Sequence, residues 1–257
     1  MKSPKRLTFT VVPDIPLLRP GDDLGAVIIA AIAKARLVVG DGDIVVVAQK
    51  AVSKCQGRTV DLATVTPSWH ARELAVEVNK DPRLVEVILS ESVRVVRKAP
   101  NVLIVEHRSG CIMANAGVDQ SNVAPGTGEE PVLLLPIDSD AAAQALRADL
   151  GAHFSKQLGI VINDSFGRPW RRGTVGVALG AAGIPSLKDL RGRPDLNGRP
   201  LQVSETGFAD EIAAAASLLM GQADEGHPVV LVSGFALTDA PIAARALIRP
   251  ASEDLFR

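Results

Sequence analysis

The stretch GIVINDSFGRPWRRG, from Gly159 to Gly173, joins a short apolar run to a polar and basic one. The apolar part, Gly159 to Ile162, is typical of a buried strand, and the polar residues Asn163–Ser165 follow it at once. Three arginines come next: Arg168, Arg171 and Arg172. Carboxylate and hydroxyl oxygens suit a hard cation such as Mg²⁺, and guanidinium groups bind phosphate or carboxylate oxygens. The pattern therefore indicates a metal and phosphate site, or else a surface turn in which Asp164 caps a helix and the arginines are solvated.

Length and composition indicate an ordinary globular protein. The 257 residues suffice for one large domain or two small ones. Hydrophobic residues make up 47% and charged residues 22%, which excludes an intrinsically disordered chain. With 28 basic and 29 acidic residues, no overall field attracts nucleic acid or an anionic membrane. Aromatic residues, at 3% with no Tyr, are too few for the stacking surfaces that bind single-stranded nucleic acid.

The cysteines and the N-terminus predict a cytoplasmic protein. Cys55 and Cys111 lie far apart and outside any CxxC spacing, which favours reduced, buried or half-buried thiols over a disulfide or a zinc site. The first residues, MKSPKRLTFTVVPDIP, are basic but lack the long apolar segment of a signal peptide. No apolar run reaches the roughly 18 residues that a membrane span needs.

Strand and helix patterns alternate along the chain, which predicts a mixed α/β (α+β) fold. Apolar runs predict strands at Leu7–Val12, Ile44–Ala48, Val102–Val105, Val132–Leu135, Gly159–Ile162 and Val229–Val232. Capping residues and helical periodicity predict helices at Leu24–Ala35, after Ser68, after Asp81, at Asp138–Leu150 and at Ala209–Met220.

Three features between Thr174 and Met220 predict local structure. The glycines of the apolar segment Thr174–Gly183 allow other backbone segments to approach closely. The turn-rich segment Arg191–Pro200 predicts a loop or flap. Asp210 and Glu211 open the last predicted helix, where acidic side chains complement the helix dipole.

A basic segment follows the strand Ile44–Ala48. It contains Gln49, Lys50 and Lys54, and two lysines four residues apart repel each other on a helix. In a strand they would likewise point to one face. An anion between them would offset the repulsion, so the pair indicates an anion site; the alternative is a solvated basic surface.

The segment MANAGVDQSNV, Met113 to Val123, is too rich in small polar residues for a plain strand. Asp119 and Asn122 could offer oxygens to a metal ion or hydrogen bonds to a ligand. The alternative is an Asx-type turn, in which these side chains bond their own backbone.

Polar residues recur just after apolar strands, at Gln49, Asp119, Asp164 and Gln222. If these points converge, they bring together lysines, carboxylates, a hydroxyl, amides and arginines. That inventory suits phosphoryl transfer, in which cations neutralise the charge of the transferring group. The sequence has no GxxxxGKS/T, GxSxG or HExxH motif, which excludes P-loop, α/β-hydrolase and zincin sites. Spacing alone leaves the reaction open.

Five segments resemble the coenzyme F420-0:L-glutamate ligase family, also called the F420 γ-glutamyl ligases. In chain order they are GDIVVVAQKAVSKCQGR, KDPRLVEVILSES, ANAGVDQSNV, NDSFGRPWRRGTVGVALG and MGQADEG. The resemblance runs from about Pro13 to Arg257, and several of the segments are specific to this family. It implies a single ligase domain over residues 1–257, a mixed α/β fold unlike that of other amide ligases, and an intertwined homodimer.

The resemblance also implies a GTP- and metal-dependent reaction. GTP would phosphorylate the lactyl carboxylate of the deazaflavin precursor F420-0, and the amine of L-glutamate would attack the acyl phosphate to form an amide. Further glutamates would add through γ-linkages. The implied cofactors are Mg²⁺ or Mn²⁺, whose charge offsets that of the phosphates, with K⁺ as a candidate additional ion.

Residue roles follow from the same resemblance. Asp119 and Asp164 are implied catalytic residues and divalent-metal ligands, with Ser165, where the family usually has Thr, and Gln222 serving a second ion. The implied nucleotide site comprises Ile15, Pro16, Leu17, Leu18, Gln49, Lys50, Lys54, Asn122, Met220, Gly221, Gln222, Ala223, Asp224, Glu225, Gly226 and His227. From charge alone, we assign Arg168, Arg171 and Arg172 to the phosphodiester or carboxylates of the substrate as a hypothesis.

Two departures from the family pattern qualify these expectations. Many bacterial relatives continue into a flavin-binding, nitroreductase-like domain, whereas this chain stops at SEDLFR, so we expect no fused reductase function. Ser109 and Gln120 stand where relatives often carry bulkier or charged residues. This difference leaves open the length of the glutamate tail and the exact form of the F420 precursor that is accepted. The alternatives are a related ligase for another amino acid or acceptor, and a non-catalytic GTP-binding partner of another F420 enzyme.

Overall fold

The computed structural model describes residues 6–123 and 129–255. Its strands are β1 (Thr8–Val11), β2 (Ile44–Ala48), β3 (Thr59–Asp61), β4 (Ser92–Ala99), β5 (Val102–His107), β6 (Ile112–Ala114), β7 (Pro131–Leu133), β8 (Gly159–Arg168), β9 (Arg171–Ala182), β10 (Leu187–Asp189), β11 (Glu205–Gly207) and β12 (Val229–Ser233). Its α-helices are α1 (Leu24–Lys34), α2 (Gln49–Cys55), α3 (Trp69–Val78), α4 (Pro82–Ser90), α5 (Ser139–Phe154) and α6 (Phe208–Met220). The expected mixed α/β fold is confirmed. Over the described residues, no helix is both long and apolar enough to cross a membrane.

Side-chain caps begin four of the helices where the sequence predicts them. The caps of α1, α3, α4 and α5 each accept a hydrogen bond from a backbone N–H of the first turn, and they are Asp23, Ser68, Asp81 and Asp138. Each such cap contributes about 1 kcal/mol to stability. The end of α5 differs from the prediction, because this helix continues past Leu150 to Phe154.

A five-stranded sheet forms the centre of the molecule. Its order is β1–β12–β2–β8–β9; β2 and β8 are parallel, and the other neighbouring pairs are antiparallel. Val45 and Val47 of β2 face a core shared with α1 and α5, whereas Ile44 and Val46 face α6. Because helices cover both faces, the strand is apolar at successive positions.

The strand predicted at Gly159–Ile162 does not end at Ile162, which corrects the sequence expectation. β8 continues to Arg168 and pairs with β9, so Asn163–Ser165 lies inside a β-hairpin and not in a turn. β9 satisfies the backbone hydrogen bonds of these polar residues, and the fully buried part of β8 stops at Asn163. Polar side chains are therefore tolerated here without ending the strand.

Asp210 has a role that the helix-dipole prediction missed. The β8–β9 register shifts between Ile162 and Asn163, and the Asp210 carboxylate accepts a hydrogen bond from the N–H of Ala178 at 2.9 Å. Burial raises the pKa of Asp210. The carboxylate therefore links the first turn of α6 to the hairpin.

Two glycines of β9 let helices contact its backbone, as the sequence predicts. A Cβ added at Gly176 would overlap Ala213 and Ser217 of α6, and one added at Gly180 would overlap the backbone of Ser139 in α5. The hairpin is thus held between two helices with no side chain in between at these points.

A separate core lies under α3, α4 and the three-stranded sheet β4–β5–β6. After β6, the chain turns through Asn115, Ala116 and Gly117, all with positive φ, of 53°, 54° and 69°. It then returns to β7, where Asp119 forms a bridge with Leu133. This turn carries Asp119 out of the small sheet and toward α2.

The segment predicted as a loop or flap, Arg191–Pro200, connects β10 to β11. It consists of turns and one isolated bridge between Pro194 and Pro200. At its base, Arg191 pairs with Asp189 at 2.7 Å. The loop prediction is confirmed.

We predict that Gly180→Ala destabilises the protein by about 1–3 kcal/mol, because the added methyl group overlaps the backbone of Ser139. The matched control is Gly167→Ala in the same hairpin, where an added Cβ meets no atom within 4 Å. Urea denaturation of both variants measures the difference. Equal midpoints would show that α5 does not pack against the β9 backbone.

Candidate active site

The parallel pairing of β2 with β8 brings the first predicted site residues together. Ala48, the last residue of β2, lies opposite Asn163, so Gln49 at the start of α2 lies beside Asp164. The Gln49 side chain is buried, accepts a hydrogen bond from Ser53 Oγ at 3.1 Å, and hydrogen-bonds to the carboxylate of Asp164. The end of β2 and the middle of β8 therefore form one side of the site.

Lys50 joins this group to Asp119. Its Nζ lies 2.6 Å from Asp119 Oδ2 and donates to Ser121 Oγ at 2.8 Å. Asp119 Oδ1 accepts a hydrogen bond from the N–H of Ser121 at 2.7 Å. This is the bond of an Asx-type turn, so that alternative is correct for Oδ1, while Oδ2 pairs with Lys50. Burial opposes ionisation of Asp119, but Lys50 and Ser121 outweigh it and hold its pKa below the usual value.

Asp164 has the opposite electrostatic environment. Burial raises its pKa to about 6, although the Ser165 N–H, Lys50 and Gln49 favour the charged form, and the nearby Asp119 carboxylate opposes it. Lys50 thus interacts with both Asp119 and Asp164, and its single positive charge does not neutralise the two carboxylates. A bound cation would offset this deficit.

A second contact joins β8 to the end of α6. Ser165 Oγ donates to Gln222 Oε1 at 2.6 Å. Asn122, next to the Asp119 segment, donates from Nδ2 to the carbonyl oxygen of Ala223 at 3.1 Å. The three segments that contain Asp119, Asp164 and Gln222 therefore meet, which is the condition that the sequence analysis left open. Asp164 lies within a strand and Gln222 follows a helix, so these residues do not all follow strand ends.

The turn after α6 is held by one of its own side chains. The Glu225 carboxylate accepts a hydrogen bond from the N–H of Ala223 at 2.8 Å, and backbone N–H groups hold its pKa below the usual value. Gly221 has a φ of 73°, and an added Cβ would overlap the Glu225 carboxylate. His227 Nδ1 lies 3.1 Å from the carbonyl oxygen of Leu219. The turn therefore has a defined shape next to Ser165.

The other residues predicted to bind nucleotide are less closely joined to this group. The Met220 side chain is buried and contacts Asn163, whereas Asp224 and Gly226 are exposed. Lys54 is half-buried, and burial together with repulsion from Lys50 lowers its pKa. Within the described part of the chain, no carboxylate pairs with Lys54.

The segment Ile15–Leu18 follows β1 and leads to the C-terminal end of α2. There the N–H of Gly21 donates to the carbonyl oxygen of Cys55 at 2.9 Å. The side chain of Leu18 is buried in the core, whereas Leu17 is 85% exposed and Pro16 is also exposed. Leu17 and Pro16 therefore remain accessible to a ligand, and Leu18 has a packing role.

The three arginines predicted to bind substrate lie at the tip of the β8–β9 hairpin. Arg168 pairs with Arg171 across the hairpin and donates to the carbonyl oxygen of Gly173 at 3.2 Å. Arg171 and Arg172 are exposed. They form a basic tip beyond the aspartates, and their role in substrate binding stays a hypothesis.

The oxygen donors fit a hard cation such as Mg²⁺ or Mn²⁺ better than a softer metal ion such as Zn²⁺. Among the described residues, no three His, Cys, Asp or Glu side chains form a metal-binding group. Asp119 and Asp164 instead offer two carboxylates, with the Ser165 hydroxyl and the Gln222 amide oxygen close by. Such a small set suits Mg²⁺ or Mn²⁺ when phosphate and water complete the coordination.

Both cysteines are free and half-buried, as the sequence predicts. Burial raises the pKa of Cys55 to about 11 and also raises that of Cys111. Both thiols are therefore protonated at neutral pH and are poor nucleophiles.

Sequence reasoning missed one side chain of the site and one contact behind it. Ser121 accepts a hydrogen bond from Lys50, and its position two residues after Asp119 is a signal that could have identified it. Asn163 points to the opposite face from Asp164 and donates to Ser217 Oγ of α6 at 2.9 Å. Its partner is distant in sequence, so no local pattern indicates that contact.

Comparison with known proteins identifies the family. A family model described as F420-0:Gamma-glutamyl ligase matches residues 14–234. The chain belongs to this family. It is 45% identical over 244 residues to the coenzyme F420:L-glutamate ligase of Methanopyrus kandleri, with 93% of each chain covered.

Two further relatives bear the same name. The coenzyme F420:L-glutamate ligase of Methanocaldococcus jannaschii is 38% identical over 253 residues, with 98% of each chain covered. That of Methanothermobacter thermautotrophicus is 40% identical over 250 residues, with 96% of this chain and 97% of the relative covered. The expectations of family membership and of an amide-bond-forming ligase are confirmed.

We predict that Asp164→Asn stabilises the metal-free protein at neutral pH by roughly 1–3 kcal/mol, because it removes a charge that burial disfavours. The pKa of Asp164 is raised from 3.8 to about 6. The folded state therefore binds more protons than the unfolded chain between these values, and the wild type loses stability as the pH rises through them. The gain from the substitution should be smaller at about pH 4 than at neutral pH.

Urea denaturation in the presence of a chelator measures this effect at both pH values. Asp119→Asn is the contrasting variant, because it breaks the 2.6 Å ion pair with Lys50 and should lower stability. If Asp164→Asn were less stable than the wild type at neutral pH, the electrostatic account of the site would be wrong.

Proposed function

We propose that this protein is a GTP- and divalent-metal-dependent ligase that adds L-glutamate to coenzyme F420-0, and then further γ-linked glutamates, in coenzyme F420 biosynthesis. Its family and the names of its relatives support these substrates. The observation that carries the mechanism is the cluster of Lys50, Asp119 and Asp164 beside the Ser165–Gln222 contact. Carboxylate, ammonium and hydroxyl groups in one place suit phosphoryl transfer to a carboxylate.

The proposed reaction has two steps. A carboxylate oxygen of the lactyl group attacks the γ-phosphorus of GTP, the bond from that phosphorus to the β-γ bridging oxygen breaks, and GDP leaves. The amine of L-glutamate then attacks the acyl carbon, phosphate departs with the electrons of the C–O bond, and the nitrogen loses a proton. Phosphate is a far better leaving group than the original carboxylate oxygen, so activation makes the amide bond accessible.

Two lysines of α2 act on the phosphates in this proposal. Lys50 and Lys54 lie one helical turn apart, and an anion between them would relieve the repulsion that contributes to lowering the pKa of Lys54. Lys50 also orients the carboxylate of Asp119 through their 2.6 Å ion pair. Asn122, Gln49, the segment Ile15–Leu18 and the turn Met220–His227 complete the proposed nucleotide site.

The divalent ion, Mg²⁺ or Mn²⁺, neutralises phosphate charge when it is bound. We assign the binding of this ion to Asp119 and Asp164. Ser165 and Gln222 are assigned to a second ion, and K⁺ is a candidate further cofactor. The raised pKa of Asp164 supports this assignment, because a buried carboxylate short of positive charge is stabilised by a cation.

We also propose that the enzyme works in the cytoplasm as a homodimer, on small molecules and without a nucleic-acid or membrane partner. The net charge of −1 supports the absence of nucleic-acid binding. Light scattering after size-exclusion chromatography tests the assembly, and a monomeric mass would overturn the dimer.

The ligase proposal is tested by phosphate release from GTP with Mg²⁺ or Mn²⁺, F420-0 and L-glutamate, omitting one component at a time. We expect release to need both acceptors and the product mass to increase by a glutamyl unit. Phosphate release with F420-0 but without glutamate would indicate another incoming amine. GTP binding without any release would favour a non-catalytic binding protein.

We predict that Ser165→Ala lowers kcat about 10- to 100-fold, because it removes the hydroxyl beside Gln222 and the proposed second ion. Ser165→Thr is the matched control, since it keeps the hydroxyl and should stay within a few-fold of the wild type. Steady-state phosphate release measures both variants. Equal loss in both would indicate a packing effect and remove Ser165 from the proposed ion site.

A further inference from the structure

Asn163 is a buried amide that the proposed mechanism does not use. Only 5% of the residue is exposed, and Val161, its neighbour on the same face of β8, belongs to the apolar core under α6. The Oδ1 atom of Asn163 accepts no hydrogen bond from the described residues. Burying an amide oxygen without a partner costs free energy, so an apolar side chain would suit this core better. Stability alone therefore does not account for an amide at this position.

The nitrogen of the same amide makes two directional contacts with the last turn of α6. Nδ2 donates to Ser217 Oγ at 2.9 Å and to Met220 Sδ at 3.2 Å. An amide nitrogen has two hydrogens, so it can bond to both acceptors at once. Ser217 and Met220 are three residues apart and lie on the same side of the helix. The two bonds therefore define both the rotation and the axial position of the helix end relative to β8.

The contacts of Asn163 lie directly behind a contact of the candidate site. Ser165 is two residues after Asn163 in β8, so strand alternation turns both side chains toward α6. Gln222 is two residues after Met220, and Ser165 Oγ donates to its Oε1 at 2.6 Å. A shift of the last turn of α6 along or about its axis would therefore move Gln222 away from Ser165.

A second polar contact fastens the other end of α6. In the first turn, the Asp210 carboxylate accepts a hydrogen bond from the N–H of Ala178 in β9. Between the two ends, Gly176 lets the helix backbone approach the hairpin, and apolar side chains pack around it. Apolar packing has no preferred direction, whereas a hydrogen bond does. The two polar contacts therefore align the helix more closely than the apolar packing can.

We infer that Asn163 is a positioning residue: by holding the last turn of α6, it keeps the Gln222 side chain at hydrogen-bonding distance from Ser165. The inference rests on the proposed function, in which Ser165 and Gln222 serve a second ion. Asn163 touches neither that ion nor a substrate in this account, and it acts only through α6. Its own backbone is held on both sides, because it pairs with Ala48 of β2 and with Ala178 of β9.

The first test needs no ligand and follows hydrogen exchange by mass spectrometry in a peptide that spans Met220–His227. Ser217→Ala removes the oxygen that the Asn163 amide contacts, and Ala is well tolerated in a helix. We expect the amide hydrogens of this peptide to exchange at least about fivefold faster, because local opening of the turn becomes easier. Ser186→Ala is the matched control and should exchange as the wild type does. Ser186 is fully buried, and its Oγ has no partner among the described residues.

The second test separates positioning from packing. Asn163→Val replaces the amide by an apolar side chain that suits a strand in an apolar core, so the urea midpoint should stay close to that of the wild type. We expect phosphate release to need about tenfold more Mn²⁺ for its half-maximal rate, because Ser165 and Gln222 no longer converge. Excess Mn²⁺ should restore much of the rate. A packing defect would instead lower the urea midpoint and would not respond to Mn²⁺.

Wild-type hydrogen exchange in both Ser217→Ala and Asn163→Val would overturn the inference, as would faster exchange with an unchanged Mn²⁺ requirement. If Asn163→Val fails to fold, Ser217→Ala carries both measurements. Failure of the proposed function gives a different result. If the wild type forms no glutamyl product, the ligase proposal fails, and hydrogen exchange alone decides whether Asn163 holds the helix end. If the wild type forms the product and both variants match it in both measurements, the ligase stands and the positioning role fails.

Discussion

The parallel pairing of β2 with β8 is the constraint on which the rest of the site depends. It places Ala48 opposite Asn163, so the chain leaves one strand into α2 just where the neighbouring strand contains Asp164. The same pairing lies between two apolar cores, and burial of both faces of β2 and β8 stabilises it. Site geometry and core packing are therefore determined by the same hydrogen-bonded ladder.

Local sequence patterns predicted the parts of the fold that local forces determine. The apolar run at Ile44–Ala48 and the caps at Asp23, Ser68, Asp81 and Asp138 correspond to the observed elements, because burial and capping act over a few residues. The full length of β8 could not be predicted in this way. Its polar half is stabilised by β9, a partner that the pattern around Asp164 does not reveal.

The candidate site was predictable in content but not in arrangement. The residue types at Lys50, Asp119 and Asp164 indicated phosphate and metal chemistry, and the resemblance to a family assigned their roles. The sequence could not show that one ammonium group serves two carboxylates of opposite pKa shift, because that depends on burial and on distances across separate segments.

The glycine contacts of β9 also affect motion. Since α5 and α6 rest directly on the hairpin backbone at Gly180 and Gly176, the hairpin cannot slide or rotate without separating whole helices from the sheet. The hairpin therefore acts as a rigid body that contains Asp164. Any closure during a catalytic cycle would have to come from the segments around it. The turn after α6 contacts β8 through the side chain of Gln222, and the Asp119–Asn122 segment contacts that turn through the side chain of Asn122.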